Sequence, residues 1–242
     1  MRLAGQTALV TGANRGIGRR FVTELLNRDV RKVYAGIRNP DTADQELQED
    51  PRVEILILDI TDTATVTAAA GHAGDVSVLI NNAGISTTQA LLDLKAPDAF
   101  SAVKREIETH LLGTLSMAQA FAPALRQHHG AMVNILSALS WFSYPGSGAY
   151  SAAKAAQWSL TNSLRLELAP AGVLVQGVHL GAADTDISAG YDGPKIDPTE
   201  VARASLDGIE ENQIEILVDD WSRAVKAALT GEPNAALTAL LS

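Results

Sequence analysis

At 242 residues, 46% hydrophobic and 19% charged, the chain is long enough to bury a sizeable core. A net charge of −9 argues against broad nucleic-acid contact and against an anionic membrane face, since both need basic surface, although one basic pocket for a phosphate remains compatible with it. The absence of cysteine excludes disulfides and thiolate metal ligands and fits a reducing compartment, and the five histidines (His72, His110, His128, His129 and His179) show no metal-ligand spacing.

The first residues, MRLAGQTALVTGANRG, carry no apolar stretch before the glycines, and no run approaches the length of a membrane span. The expectation is a cytoplasmic protein with no nucleic-acid or membrane partner. In chain order, short apolar runs at 7–11, 32–37, 53–58, 76–81, 131–136, 173–180 and 214–218 read as strands. Several are apolar throughout instead of alternating, which suits strands covered on both faces. Helical patterns fall at 17–28, 62–72, 98–128, 149–169, 198–210 and 219–230, with Asp62, Asp98 and Asp219 near helix starts, where a carboxylate can cap free amides. Strand–helix alternation of this kind predicts an α/β fold: a doubly wound parallel sheet of about seven strands with helices on both faces. The chain reads as a single domain, 1–242, with a substrate loop at 182–198 and a C-terminal helical segment at 219–242.

The stretch ALVTGANRGIG sets Gly12, Gly16 and Gly18 directly after the first strand and at the start of a helix. Glycine permits the tight turn and lets backbone amides approach a ligand, and the helix N-terminus offers unpaired N–H groups to a pyrophosphate. The spacing, G-x3-G-x-G, departs from the usual dinucleotide fingerprint, yet strand before and helix after still point to a dinucleotide. The second strand ends Ile37-Arg38, without the acid that would bind a ribose 2′-hydroxyl, and Arg15 lies inside the glycine loop. Two guanidiniums suit a 2′-phosphate, so the expected cofactor is NADP(H).

Tyr150 and Lys154 lie four residues apart in GAYSAAKAA, a spacing that places both on one helical face, and Ser137 ends the fifth strand. Together with the glycines and NNAG at 81–84, this pattern resembles the short-chain dehydrogenase/reductase family over residues 5 to about 190. The resemblance implies a Rossmann-type fold and an NADP(H)-dependent carbonyl reductase or alcohol dehydrogenase. Tyr150 would exchange the proton, Ser137 would hold the substrate oxygen, and Lys154 would favour the phenolate and clasp the nicotinamide ribose. It also implies cofactor contacts from Gly12, Asn14, Arg15, Gly16, Ile17 and Gly18, from Arg38, from Asp59 and Ile60, and from Asn82, Ala83 and Gly84. Thr185 would meet the carboxamide, although Leu180-Gly181 stands where the family has Pro-Gly.

A second departure is His110, which aligns with the family's Asn, a residue that helps hold a water linking the lysine to solvent. His110 can replace that Asn in the relay, repack the site and slow it, or be an introduced substitution; a working relay with altered pH dependence is the favoured reading. Trp141, Phe142 and Tyr144 between Ser137 and Tyr150 are expected to form an aromatic wall, with Tyr191 closing the other side, for a hydrophobic or aryl ketone. The family pairs two long helices across a two-fold axis, which implies a homodimer, with a tetramer possible. Two alternatives stay open: an NADP(H)-binding regulator without turnover, and a 3-oxoacyl-type reductase.

Overall fold

A computed structural model describes residues 1–43, 47 and 49–232. Seven strands form one parallel sheet: β1 (Thr7–Thr11), β2 (Lys32–Ile37), β3 (Val53–Ile57), β4 (Val78–Asn81), β5 (Ala131–Ile135), β6 (Leu174–His179) and β7 (Glu215–Leu217). Their order is β3-β2-β1-β4-β5-β6-β7. The direction in which successive strands are added reverses between β1 and β4, and the carboxyl ends there open the crevice where doubly wound sheets bind ligands.

The strands are apolar on both faces because both faces are covered. Ala8 and Val10 of β1 join one core with Phe21, Leu25, Val201 and Leu206, under α1 (Gly16–Asn27) and α6 (Pro198–Glu210). Leu9 of the same strand turns the other way, into a core with Leu79, Met117, Phe121 and Leu164. That face lies under α2 (Thr63–His72), α4 (Thr114–His128) and α5 (Gly148–Leu168). Two further helices among the described residues are α3 (Ala96–Ile107) and α7 (Asp220–Ala228).

Two of the expected capping aspartates act as such: Asp62 accepts from the Ala64 amide and Asp219 from the Ser222 amide. Asp98 lies in the first turn of α3, whose N-cap is Lys95.

The helix expected at 98–128 is divided. Between α3 and α4 the chain makes a π-helical turn, Glu108–Gly113, in which both His110 and Gly113 are buried. Such turns insert an extra residue and are frequent at functional sites. The expected strand at 76–81 begins at Val78, and the C-terminal helix runs Asp220–Ala228. The rest of the expected segment to 242 lies outside the described residues from position 233 on.

Candidate active site

A cavity of about 880 Å³ opens at the carboxyl ends of β1 to β6. Its floor is the glycine turn. Gly12 and Gly16 have φ of +65° and +53°, a region that favours glycine. A Cβ on Gly18 would meet the Gly12 carbonyl at 2.2 Å, so only glycine lets α1 start this close to the turn. The N-cap residue of α1, Arg15, makes no side-chain capping bond, and this helix end borders the cavity, where a ligand's phosphates would meet its first amides. Asn82 braces the turn: its Nδ2 donates to Thr11 O at 2.9 Å, and the Asn82 and Ala83 amides donate to Thr11 Oγ1 at 2.9 and 3.0 Å.

Asn14, Arg15 and Ile17 line the cavity from the glycine turn, and Arg38 lines it from the end of β2. Arg15 pairs with Asp186 across the cavity mouth, so its guanidinium is shared with the 182–198 loop. Asp59 and Ile60 follow β3 at the same rim. Burial works to raise the Asp59 carboxyl, but hydrogen bonds from the Thr61 amide and hydroxyl, with the charge of Arg38, outweigh it and hold the group below the usual carboxylate range. Thr185 closes the opposite side, its Cγ2 only 3.1 Å from where a Gly16 Cβ would stand. The first amides of α1, glycines that a Cβ would obstruct and two guanidiniums without an acid on β2 fit a dinucleotide carrying an extra phosphate.

At the inner end, Ser137 follows β5 while Tyr150 and Lys154 project from one face of α5, and all three line the cavity. Lys154 Nζ is buried and donates to Ile135 O at 2.7 Å and to Gln157 Oε1 at 2.9 Å. Gln157 in turn donates to Thr114 Oγ1 at 2.9 Å, so a buried polar chain holds the ammonium below Tyr150. Burial lowers the Lys154 amine to about 7, against the opposing pull of the Glu106 carboxylate. Tyr150 does not show the depression expected of it. Burial pushes its phenol up, and the neighbouring Ser137 hydroxyl only partly offsets this. The ammonium stands 5.6 Å from the ring centroid, and its charge is weakened by its own burial.

His110 sits behind this group, 1% exposed, with its ring edge-on to Tyr150 at 5.4 Å between centroids. Its Nε2 donates to Ile85 O at 2.9 Å. Burial first, then the Lys154 charge, lower its basicity.

The aromatic residues are placed otherwise than expected. None of Trp141, Phe142, Tyr144 and Tyr191 lines the cavity. After Ser137 the chain makes a short 3₁₀ turn, Ala138–Ser140, which directs Trp141 onto His179 with ring centroids 3.7 Å apart. Phe142 packs edge-on against Trp221, Tyr144 is exposed, and the Tyr191 ring folds back beside Gly193. Apolar residues that do line the cavity include Ile85, Leu180 and Ile187. Sequence reading also passed over Arg105 at the cavity rim and the buried Glu106, whose only signal is its spacing, four residues before His110.

Among the described residues no group of His, Asp and Glu is arranged to hold a metal, and no helix is long and apolar enough to cross a membrane.

Comparison with known proteins agrees with this geometry. Residues 6–193 match the short chain dehydrogenase family. The chain is 34% identical over 181 residues to carbonyl reductase [NADPH] 2 of Sus scrofa, covering 74% of this chain and 72% of that one. It is 31% identical over 225 residues to an uncharacterized oxidoreductase of Staphylococcus saprophyticus, covering 87% and 94%. Among solved structures, a short chain dehydrogenase from Burkholderia cenocepacia in complex with NADP superposes with a TM-score of 0.92 at 37% identity, over 100% of both chains.

Proposed function

The chain belongs to the short-chain dehydrogenase family of oxidoreductases, and from that premise we propose that it is an NADPH-dependent carbonyl reductase acting on a hydrophobic ketone, aryl ketones included. The observation that carries the reading is the convergence of Ser137, Tyr150 and Lys154 at the inner end of a cavity whose outer end has the glycine turn and two arginines. Bound NADPH supplies the hydride for the carbonyl carbon.

Everything else falls to the chain's own groups. The start of α1 receives phosphate, and Arg15 and Arg38 favour a 2′-phosphate over a free hydroxyl. Ser137 donates to the carbonyl oxygen, orienting it toward Tyr150. Tyr150 gives its phenolic proton as the oxygen gains charge, and the resulting phenolate is stabilised by Lys154 while that amine is protonated. His110 replaces the family's Asn in the path by which the proton is restored. Ile85, Leu180 and Ile187 support an apolar substrate. We also assign a homodimer, supported by the exposed apolar residues Phe100, Leu112 and Leu166 on the α3-to-α5 region.

The test is NADPH oxidation by the purified protein against a panel of apolar and aryl ketones, with Tyr150→Phe in parallel. Loss of a positioned acid is expected to lower kcat about 10²- to 10⁴-fold with NADPH binding retained. A Tyr150→Phe variant that keeps the parent's rate would show that another group supplies the proton.

A further inference from the structure

Glu106 is fully buried on α3, one turn before His110, in a position where an isolated carboxylate is costly. Its Oε1 accepts from the Thr87 amide at 2.5 Å, which ties α3 to the segment after β4. Its Oε2 lies 3.2 Å from His110 Nε2 yet makes no hydrogen bond, because the Nε2 proton points to Ile85 O. His110 Nδ1 likewise has no partner among the described residues. A structural pair would be expected to satisfy these atoms. Here a carboxylate and an imidazole, each buried and each with one unused polar atom, stand directly behind Tyr150.

We propose that Glu106 is a positioning residue of this site: its carboxylate, 3.2 Å from His110 Nε2, supplies the buried negative charge that keeps a proton available on the Lys154 side of Tyr150. This rests on the carbonyl reductase reading above. Among the described residues, two charged groups act on the His110 ring and one titratable ring packs against it. Glu106 approaches from α3, and Tyr150 and Lys154 approach from α5. The segment after β4 contributes only the Gly84 backbone and the Ile85 carbonyl. Lys154 opposes a proton on His110 and Glu106 favours one, while Glu106 also favours the charged form of Lys154. The carboxylate transfers nothing itself. When Tyr150 gives its proton to the substrate oxygen, the phenolate takes one back from the Lys154–His110 side, and solvent replaces that proton. Glu106 makes the positive charge on that side tolerable in a buried setting.

The sign follows directly. Removing the negative charge lowers the proton affinity of both His110 and Lys154, so each loses its proton at lower pH. The experiment uses Glu106→Gln, the near-isosteric neutral variant, and Glu106→Asp, which keeps the charge. Both are compared with His110→Asn and the double variant Glu106→Gln/His110→Asn. Two readouts are taken. One is the ¹⁵N shift titration of the His110 ring in uniformly labelled protein without added nucleotide, assigned by its disappearance in His110→Asn. The other is the pH profile of kcat/KM for ketone reduction.

Glu106→Gln is expected to move the His110 titration and the alkaline limb of kcat/KM about one pH unit toward acid. Glu106→Asp should restore most of that shift. In the His110→Asn background the kinetic shift should shrink to less than half. An unmoved titration in Glu106→Gln would overturn the proposal, and so would a kinetic shift that is undiminished without His110. A parent that binds NADPH but reduces no ketone would sink the reductase reading, while the ¹⁵N titration would still decide the placement of charge by Glu106.

Discussion

Replacing Gly84 by alanine tests the packing that places His110 behind Tyr150. Gly84 does not lie in the left-handed region, so alanine brings no backbone strain. A Cβ there would stand 2.7 Å from His110 Cε1, about 0.7 Å inside ordinary carbon contact. The ring has little room to retreat, since it is 1% exposed, edge-on to Tyr150 and held by its 2.9 Å hydrogen bond to Ile85 O. Overpacking of this sort costs about 1–3 kcal/mol, and a displaced Nε2 proton would give up about 1 kcal/mol more. Gly84→Ala is therefore expected to lose about 2 kcal/mol in urea unfolding, seen as a lower midpoint at unchanged slope. In the His110→Asn background no atom reaches the Cε1 position, and the same substitution should cost less than about 1 kcal/mol, a coupling of at least about 1 kcal/mol. Ketone reduction should recover in the double variant relative to Gly84→Ala alone. Equal penalties in the two backgrounds would refute the argument, because the clash would then lie with some group other than His110.

Arg38→Ala is expected to weaken NADPH binding by about 1.5 kcal/mol, roughly tenfold, while leaving NADH within about twofold, measured by fluorescence titration of each nucleotide. Arg15→Ala should show a smaller loss because Asp186 already shares that guanidinium, and equal weakening of both nucleotides would remove the 2′-phosphate assignment. The Lys154 amine, lowered by burial to about 7, is charged below that pH and neutral above it. Since the phenolate needs the charge, kcat/KM for reduction should fall as pH rises through that region, and a profile flat to about pH 9 would separate the Lys154 charge from the rate.

The sheet, its covering helices and the glycine turn were legible in the sequence, because a strand buried on both faces must be apolar and a phosphate turn must bring backbone close to its ligand. TALVT before GANRGIG states both requirements within a few residues, and a Cβ on Gly18 would meet the Gly12 carbonyl. Tyr150 and Lys154 were legible for a similar reason, since helical spacing alone puts them on one face. Four features were decided only by the tertiary structure. The long helix expected at 98–128 breaks into α3, a π turn and α4, and hydrophobic periodicity does not register one extra residue in a turn. Glu106 is buried although its residue type belongs by default on the surface, and only packing against α5 and the segment after β4 reveals it. Trp141 and Phe142 lie near Ser137 in sequence, yet a 3₁₀ turn sends one onto His179 of β6 and the other onto Trp221 of α7. The charge of Lys154 was assumed from its residue type, whereas its proton affinity is set by burial and by a carboxylate on another helix. Local sequence determines which way a side chain leaves its own backbone; what it then meets depends on segments far away in the chain, and the chemistry of Tyr150 is governed by those meetings.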